Sequence, residues 1–464
     1  MNMRRHCSQA LLLILFSQVA TAQSQQNPGV GITIREAVET AARNYPAITV
    51  SQQQVDAAAA GIQLARTAYL PRVDSIAQAN FATRNNVFGL LLPQSVIPSI
   101  SGPVLGTNSL DGVWGSAIGV TVSWEPFDFG LRGANLTAAS AAKTRSEATV
   151  KRAQMDISIA AADAFLTLVA AQETVRAAQA GVERTQSLLQ SVRAQSDAQL
   201  RPGADVSRTE AELAASRTQL IKAQQAQDVA RTVLSQFIGV APERINLSAT
   251  RLLQLPPDPS NSTFDLERNP AFVEQNAIVN QRKAELEALE KSYAPKFVMQ
   301  GSAFGRGSGA VTDGTRLGGV NGLAPDTQNY AVGLSVTFPI LDRAAIHARE
   351  SGQEATIRAE TARTQQIATE LTSRRNAANA ALDGSRKIAA NTPVAVAAAM
   401  TANQQASTRY QAGLGTIVEV ADSQRLLTQS EIDDALARLS VWRALLSVAA
   451  SSGDIEPFLA SAVP

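Results

Sequence analysis

Few residues of this chain have the types and spacing for covalent chemistry. A Ser-His-Asp arrangement would have to use His347, since the other histidine, His6, falls in the first few residues. His347 lies in a predicted long helix beside Arg343 and Arg349 and reads as a solvated surface group. The single cysteine, Cys7, offers no thiol pair, and no Cys/His cluster has the spacing of a zinc site. The glycine-rich stretch Gly305 to Gln328 contains neither GxxxxGK[ST] nor GxGxxG, so no phosphate cradle is predicted there. Glu419 and Asp422 stand one helical turn apart near a predicted helix start, where the macrodipole favours acids in any case. The remaining carboxylates have the ordinary helical spacing of salt-bridging surface groups. These residue types predict no enzyme and no cofactor.

The elements that carry these residues are more informative. In Tyr330 to Phe338, YAVGLSVTF, the apolar Tyr330, Val332, Leu334, Val336 and Phe338 alternate with the small Ala331, Gly333, Ser335 and Thr337. Period-two alternation marks a strand. A soluble strand would carry longer polar groups on its second face, and a sandwich strand is the ordinary alternative for this segment alone. A small, weakly polar second face with aromatics at the strand ends suits a membrane barrel. Trp114 to Trp124, WGSAIGVTVSW, repeats the pattern, with Ile118, Val120 and Val122 on one face and Gly115, Ala117, Gly119, Thr121 and Ser123 on the other. Pro126 and Pro339 are expected to stop ladder pairing and to introduce long alanine-rich helices.

At the start of the chain, Arg4 and Arg5 precede the apolar run Ala10 to Phe16, and Ala20-Thr21-Ala22 has the small residues of a cleavage site. Residues 1–22 read as a secretory signal peptide. The processed chain from Gln23 would then lack cysteine, which excludes disulfides and an N-terminal lipid. Removing Arg4 and Arg5 from 41 basic residues leaves 39 against 40 acidic ones, so charge gives no case for nucleic acid. No later segment has the roughly 20 uninterrupted apolar residues of a spanning helix. A chain of 464 residues would allow about three domains by length alone.

Taken in order, residues 32–69 read as a helix with a Thr33/Glu36 capping box, interrupted at Pro46. A strand follows to about Arg84, with Val73, Ala77, Ala79 and Phe81 opposite the lumenal Asp74, Gln78, Asn80 and Arg84. Residues 85–111, around Leu90-Leu91-Leu92, read as an external loop. A helix from about Asp128 to Leu200 carries a heptad seam of Leu168, Val175, Val182 and Leu189 with Ala171, Ala178, Thr185 and Val192. It turns near 201–204 into a helix reaching Ile238-Gly239, and the two shorter helices are expected to stack end to end along the long one. A proline-rich linker covers 256–262. The pattern then recurs: Asn269-Pro270-Ala271 matches Tyr45-Pro46-Ala47 at an offset of 224, and Glu419-Val420 matches Asp205-Val206 at 214. Residues 23–255 and 263–452 thus form two structural repeats of one intertwined domain, the second with an external loop at 305–328 and a turn near 412–416, before a tail at 453–464.

Over its whole processed length the chain resembles the TolC-like outer-membrane efflux proteins, most specifically in Tyr410-x-x-Gly413-x-x-Thr416-Ile417-Val418-Glu419-Val420-x-Asp422. The resemblance implies an α+β membrane protein: a homotrimer whose protomers each give four strands to one 12-stranded outer-membrane barrel, continued by a periplasmic α-helical coiled-coil tube. It further implies a passive duct for drugs, other small molecules or proteins, in efflux or type I secretion. The implied partners are outer-membrane lipid, a periplasmic adaptor and an inner-membrane pump of the RND, ABC or MFS type. Glu419 and Asp422 match the acids that narrow the entrance, and Asp205 and Tyr410 match a closed-state latch. Pro202, Gly203, Gly413, Gly415 and Thr416 would lie at hairpin tips that dock the adaptor. Gly415 stands where the latch of a well-known member has arginine, and Arg409 is the candidate substitute. From another class, the competing reading is an elongated periplasmic coiled-coil protein without a channel.

Overall fold

The computed structural model describes residues 31–83, 110–257, 265–311 and 315–462. The signal segment 1–22, the apolar loop piece 88–92 and most of the linker lie outside the described residues.

Four antiparallel strands, β1 (Arg72–Thr83), β2 (Gly112–Phe127), β3 (Lys296–Ser308) and β4 (Thr327–Thr337), form one sheet in the order β1-β2-β3-β4. A single row crosses it as Val73↔Val122↔Gly301↔Val332, so one face can be followed from edge to edge. That face carries the exposed Ile118, Val120, Trp124, Tyr330 and Leu334, with Val332 77% exposed. The opposite face buries Ala117, Thr121, Gln300 and Ser302. The sheet therefore turns its apolar side outward and its small polar side inward, the reverse of a water-soluble sheet.

Pro126 does not end β2. The ladder shifts register between Trp124 and Phe127 and resumes at Phe127↔Phe297. Lacking an N–H, the proline sits in an irregularity that spares one ladder bond. β3 runs on to Ser308 and β4 begins at Thr327, so their connection spans 309–326, shorter than the 305–328 expected.

The helices follow local rules closely. α1 (Ile34–Asn44) begins with a complete Thr33/Glu36 capping box. Tyr45 is extended, as a residue before proline prefers, and α2 (Pro46–Thr67) starts at the proline itself. α3 (Leu131–Asp197, 67 residues) is roughly 100 Å long. α4 (Gly203–Ile238) runs back along it. In the second half α5 (Pro270–Lys291), α6 (Arg343–Gln411) and α7 (Ile417–Ser452) follow in the same order, with α6 at 69 residues and α7 and α4 at 36 each. The short helices do meet end to end. Tyr45 stacks on Phe237 at 5.5 Å where α4 ends and α2 begins, and Asn269 Nδ2 donates to the Ser451 carbonyl at 3.1 Å where α7 ends and α5 begins.

Residues 456–462 of the expected tail form a further helix, α8 (Glu456–Ala462). It packs Phe458 and Leu459 into a waist core with Ile34 and Val38 of α1, Phe165 and Leu168 of α3, Leu234 of α4 and Trp442 of α7. Trp442 is fully buried and donates its indole N–H to the Gln254 carbonyl at 2.9 Å, satisfying its one polar atom. By composition one stretch of α3 is apolar enough to cross a bilayer after all, but half of it is buried inside the protein. Its role is that of a core helix: Ala161, Ala162, Leu166 and Val169 pack at the waist. Farther along α3 the predicted seam is buried at Ala178, Val182, Thr185, Leu189 and Val192, while Val175 stays half-buried.

Candidate functional site

The predicted polar residues converge at the end of the helices farthest from the sheet. α3 ends in a turn with Gln199 in the left-handed region (φ 57°), and Pro202 sets the first residues of α4. α6 ends through Gly413 (φ 79°), where a side chain would strain the turn. Thr416 then caps α7, its hydroxyl accepting from the Glu419 N–H at 3.3 Å and donating to the Glu419 carboxylate at 3.4 Å. Glu419 is thereby held at the first turn of α7, and Asp422 follows one turn on.

Under these turns Val192, Tyr410, Ile417 and Val420 form a small buried core that joins α3, α6 and α7. Tyr410 is 2% exposed, and its hydroxyl donates to Asp205 Oδ2 at 3.2 Å. The structure thus brings Asp205 and Tyr410 together. Arg201 stacks its guanidinium over the Tyr410 ring at 4.5 Å and donates to the Tyr410 carbonyl. Burial, then the Asp205 charge and hydrogen bond, push the Tyr410 phenol above its usual value, and Arg201 only partly offsets them. The phenol is therefore held as a donor.

Arg409 does not take the place of a latch arginine. It donates to the Leu414 carbonyl at 3.2 Å within its own turn and lies 4.0 Å from Glu419 Oε2. The cation on the Tyr410 ring is Arg201, which sequence reading missed because it stands as an ordinary turn residue before Pro202-Gly203. Gly415 is tightly enclosed: a Cβ there would come within 3.2 Å of the Arg409 and Glu419 side chains and of the Tyr410 backbone N. An arginine at 415 would have to displace them.

Glu419 and Asp422 are half-exposed or more, at 49% and 59% of the side chain. Each has a cation at hand in its own chain. Arg425, one turn after Asp422, donates to it and also reaches Glu212 at 3.5 Å, a bridge from α7 to α4 that sequence reading missed. Pro202, Gly203, Gly413 and Thr416 are exposed at the tips, together with Leu200 and Leu414 at 74% and 73% exposure. Such exposed leucines at a turn suit a protein contact.

Among the described residues no three His, Cys, Asp or Glu side chains are grouped to hold a metal ion. His347 is 80% exposed on α6 and faces Glu350 at 3.5 Å.

The model of the outer membrane efflux protein family matches residues 37–240 and 265–454. No curated protein sequence matches the chain. Among solved structures, the outer-membrane channel OprN is similar at 20% identity and a TM-score of 0.69, over 90% of this chain and 89% of that one. The Campylobacter jejuni CmeC outer membrane channel is similar at 15% identity and 0.72, over 90% and 85%. The open state of the Neisseria gonorrhoeae MtrE outer membrane channel gives 16% identity and 0.67, over 91% and 89%.

Proposed function

Since the chain belongs to the outer membrane efflux protein family, we propose that three copies close one 12-stranded barrel and that their helices form a single duct through the periplasm. The observation that carries this reading is the inverted sheet. Four strands in a row leave β1 and β4 with unpaired backbone groups, each costing several kcal/mol in hydrocarbon. Pairing β1 of one copy with β4 of the next removes all of these edges. Trp114 and Trp124 are ten residues apart on β2; at about 3.3 Å per residue and a tilt near 40° they bracket an apolar band about 25 Å tall. The helices support the same closure. α4 exposes Ile221, Val229 and Val233, and α6 exposes Ile388, Val394 and Met400, apolar stripes that a neighbouring copy would cover.

The duct conducts passively between an inner-membrane pump of the RND, ABC or MFS type and the outside, in efflux or in type I secretion, with a periplasmic adaptor seated on the helical hairpins. Leu200 and Leu414 join Pro202, Gly203, Gly413, Gly415 and Thr416 as its docking surface. Glu419 and Asp422, repeated by symmetry, ring the periplasmic entrance. Asp205, Tyr410 and Arg201 hold the two hairpins together in the closed state. An elongated coiled-coil protein without a channel would leave the outward apolar sheet unexplained. Fractionation tests the choice: a heat-modifiable, detergent-requiring trimer is expected, and a soluble elongated protein would rule out the duct.

A further inference from the structure

The connection between β3 and β4 does not project away from the sheet. Its described part is internally tied. Leu317 N–H donates to the Gly309 carbonyl at 2.9 Å, Leu323 N–H to the Val320 carbonyl at 3.1 Å, and Asn321 Nδ2 to the Leu317 carbonyl at 2.9 Å. The turn 318–325 lies flat on β3, over the alternate glycines Gly305, Gly307 and Gly309. A Cβ at Gly307 would come 2.2 Å from the Ala324 carbonyl oxygen and 2.7 Å from Ser116 Oγ, and one at Gly305 would come 3.2 Å from the Pro325 oxygen. Side chains at these positions would hold the turn off the strand.

Register decides which face is covered. Gly305 pairs with Ile118 and Gly307 with Ser116, so the turn lies on the face that carries Ile118, Val120 and Val122. This is the outward face, at the end of β2 remote from the helices. The Ser116 hydroxyl is fully covered there. The run Leu317 to Pro325 carries no charge. It nevertheless leaves Leu317 48%, Val320 71% and Leu323 38% exposed, with Gly322 against the carbonyl of Trp114, whose ring pairs with Phe81 at this end of the exposed apolar face.

We infer that the turn Leu317–Pro325 is an interfacial anchor, folded back over the extracellular rim of the sheet to insert Leu317, Val320 and Leu323 into the lipid of the outer leaflet. The inference rests on the barrel reading, which makes this face outward. Lipid is the occupant because the patch continues the lipid-facing band; a neighbouring copy would meet the strand edges instead. Uncharged turns with exposed aliphatic side chains partition into the headgroup boundary as amphipathic segments do.

The test places bimane at Val320→Cys, with Val120→Cys as a control, each in full-length protein carrying Cys7→Ser and reconstituted as the trimer in phosphatidylcholine vesicles. At Val320, quenching by lipid spin-labelled near the headgroup should exceed quenching by aqueous iodide severalfold. At Val120, lipid labelled deep in the chain should quench best. Iodide dominating at Val320 while Val120 is lipid-quenched would overturn the anchor and leave the barrel standing. No lipid quenching at Val120 would overturn the barrel reading and the anchor with it. Adding Gly307→Val should abolish lipid quenching at Val320 without changing Val120; unchanged quenching at Val320 would contradict a turn seated on the glycines.

Discussion

The Tyr410 hydroxyl donates to Asp205 at 3.2 Å and so fastens the end of α6 to the first turn of α4, across 205 residues of chain. Arg201, in the turn that precedes α4, stacks on the same ring. A single hydrogen bond to a charged carboxylate contributes about 1.5–3 kcal/mol. Tyr410→Phe should therefore leave the fold intact while raising single-channel conductance by weakening the closed state, and Arg201→Ala should do the same. Unchanged conductance in both would show that the contact is only packing.

The same contact has a pH signature. Because the Tyr410 phenol is raised above 10.0, chiefly by burial, its neutral form is favoured in the closed state. That stabilisation is fully present below pH 10 and is lost as pH rises through the raised value. Conductance measured against pH should step up on the alkaline side, and Tyr410→Phe should remove the step.

At the other end of α3, Arg132 joins the sheet to the helix. Its side chain, 9% exposed, pairs with Asp128 at 3.0 Å, reaches the Ala68 carbonyl at 3.3 Å and lies 4.8 Å over the Tyr69 ring. Burial alone would raise the Asp128 carboxyl, but the Arg132 hydrogen bonds and charge outweigh it and hold the group below its usual value. Asp128 thus contributes stability that is present above the ordinary carboxylate range and lost as pH falls through the depressed value. Arg132→Ala should cost about 1–3 kcal/mol, since the half-buried Asp128 keeps the backbone N–H groups of Gly130 and of residue 132 as partners. Thermal unfolding of wild type and Asp128→Asn across pH 2–6 checks this, since the wild type should lose more stability toward acid than the variant does.

On the sheet, a charge at Val120, Val122, Leu334 or Val336 should cost about 2–4 kcal/mol near the bilayer midplane. Gly119 should fail for a different reason, since a Cβ there would come 2.4 Å from Phe304 Cβ and 2.7 Å from the Ala303 oxygen. Spin labels at alternate positions should separate the faces by their access to lipid-soluble and water-soluble quenchers. Equal access on both faces would contradict the assignment.

Local pattern made most of the architecture readable in advance. The alternation in Tyr330 to Phe338, the Thr33/Glu36 box, the break at Tyr45-Pro46 and the heptads of α3 each depend on residues within a turn or two of one another. What could not be read depends on contacts between distant segments. Arg201 meets Tyr410 only because two hairpins end together, and Arg132 is buried only because Tyr69 and Pro126 close around it. α8 owes its place to the waist core, since a seven-residue helix has little stability of its own. Pro126 misled because proline normally ends pairing, and here a register shift accommodates it.

In the proposed trimer, three copies of Glu419 and Asp422 around one axis would repel one another and attract cations, with Arg409 and Arg425 offsetting part of the charge. Glu419→Ala with Asp422→Ala should weaken cation selectivity and abolish block by multivalent cations added from the tip side, leaving barrel stability unchanged. Arg425→Ala should strengthen selectivity. Reversal potentials in a salt gradient report both, and no change in the double variant would reduce these acids to a solvated helix end.

Single-channel recording of the purified trimer in a planar bilayer tests the central claim most directly. A duct closed by three copies predicts discrete conductance steps that are cation-selective and that grow when Asp205 or Tyr410 is replaced. A folded, membrane-inserted trimer that passes no current in the wild type or in either variant would contradict it.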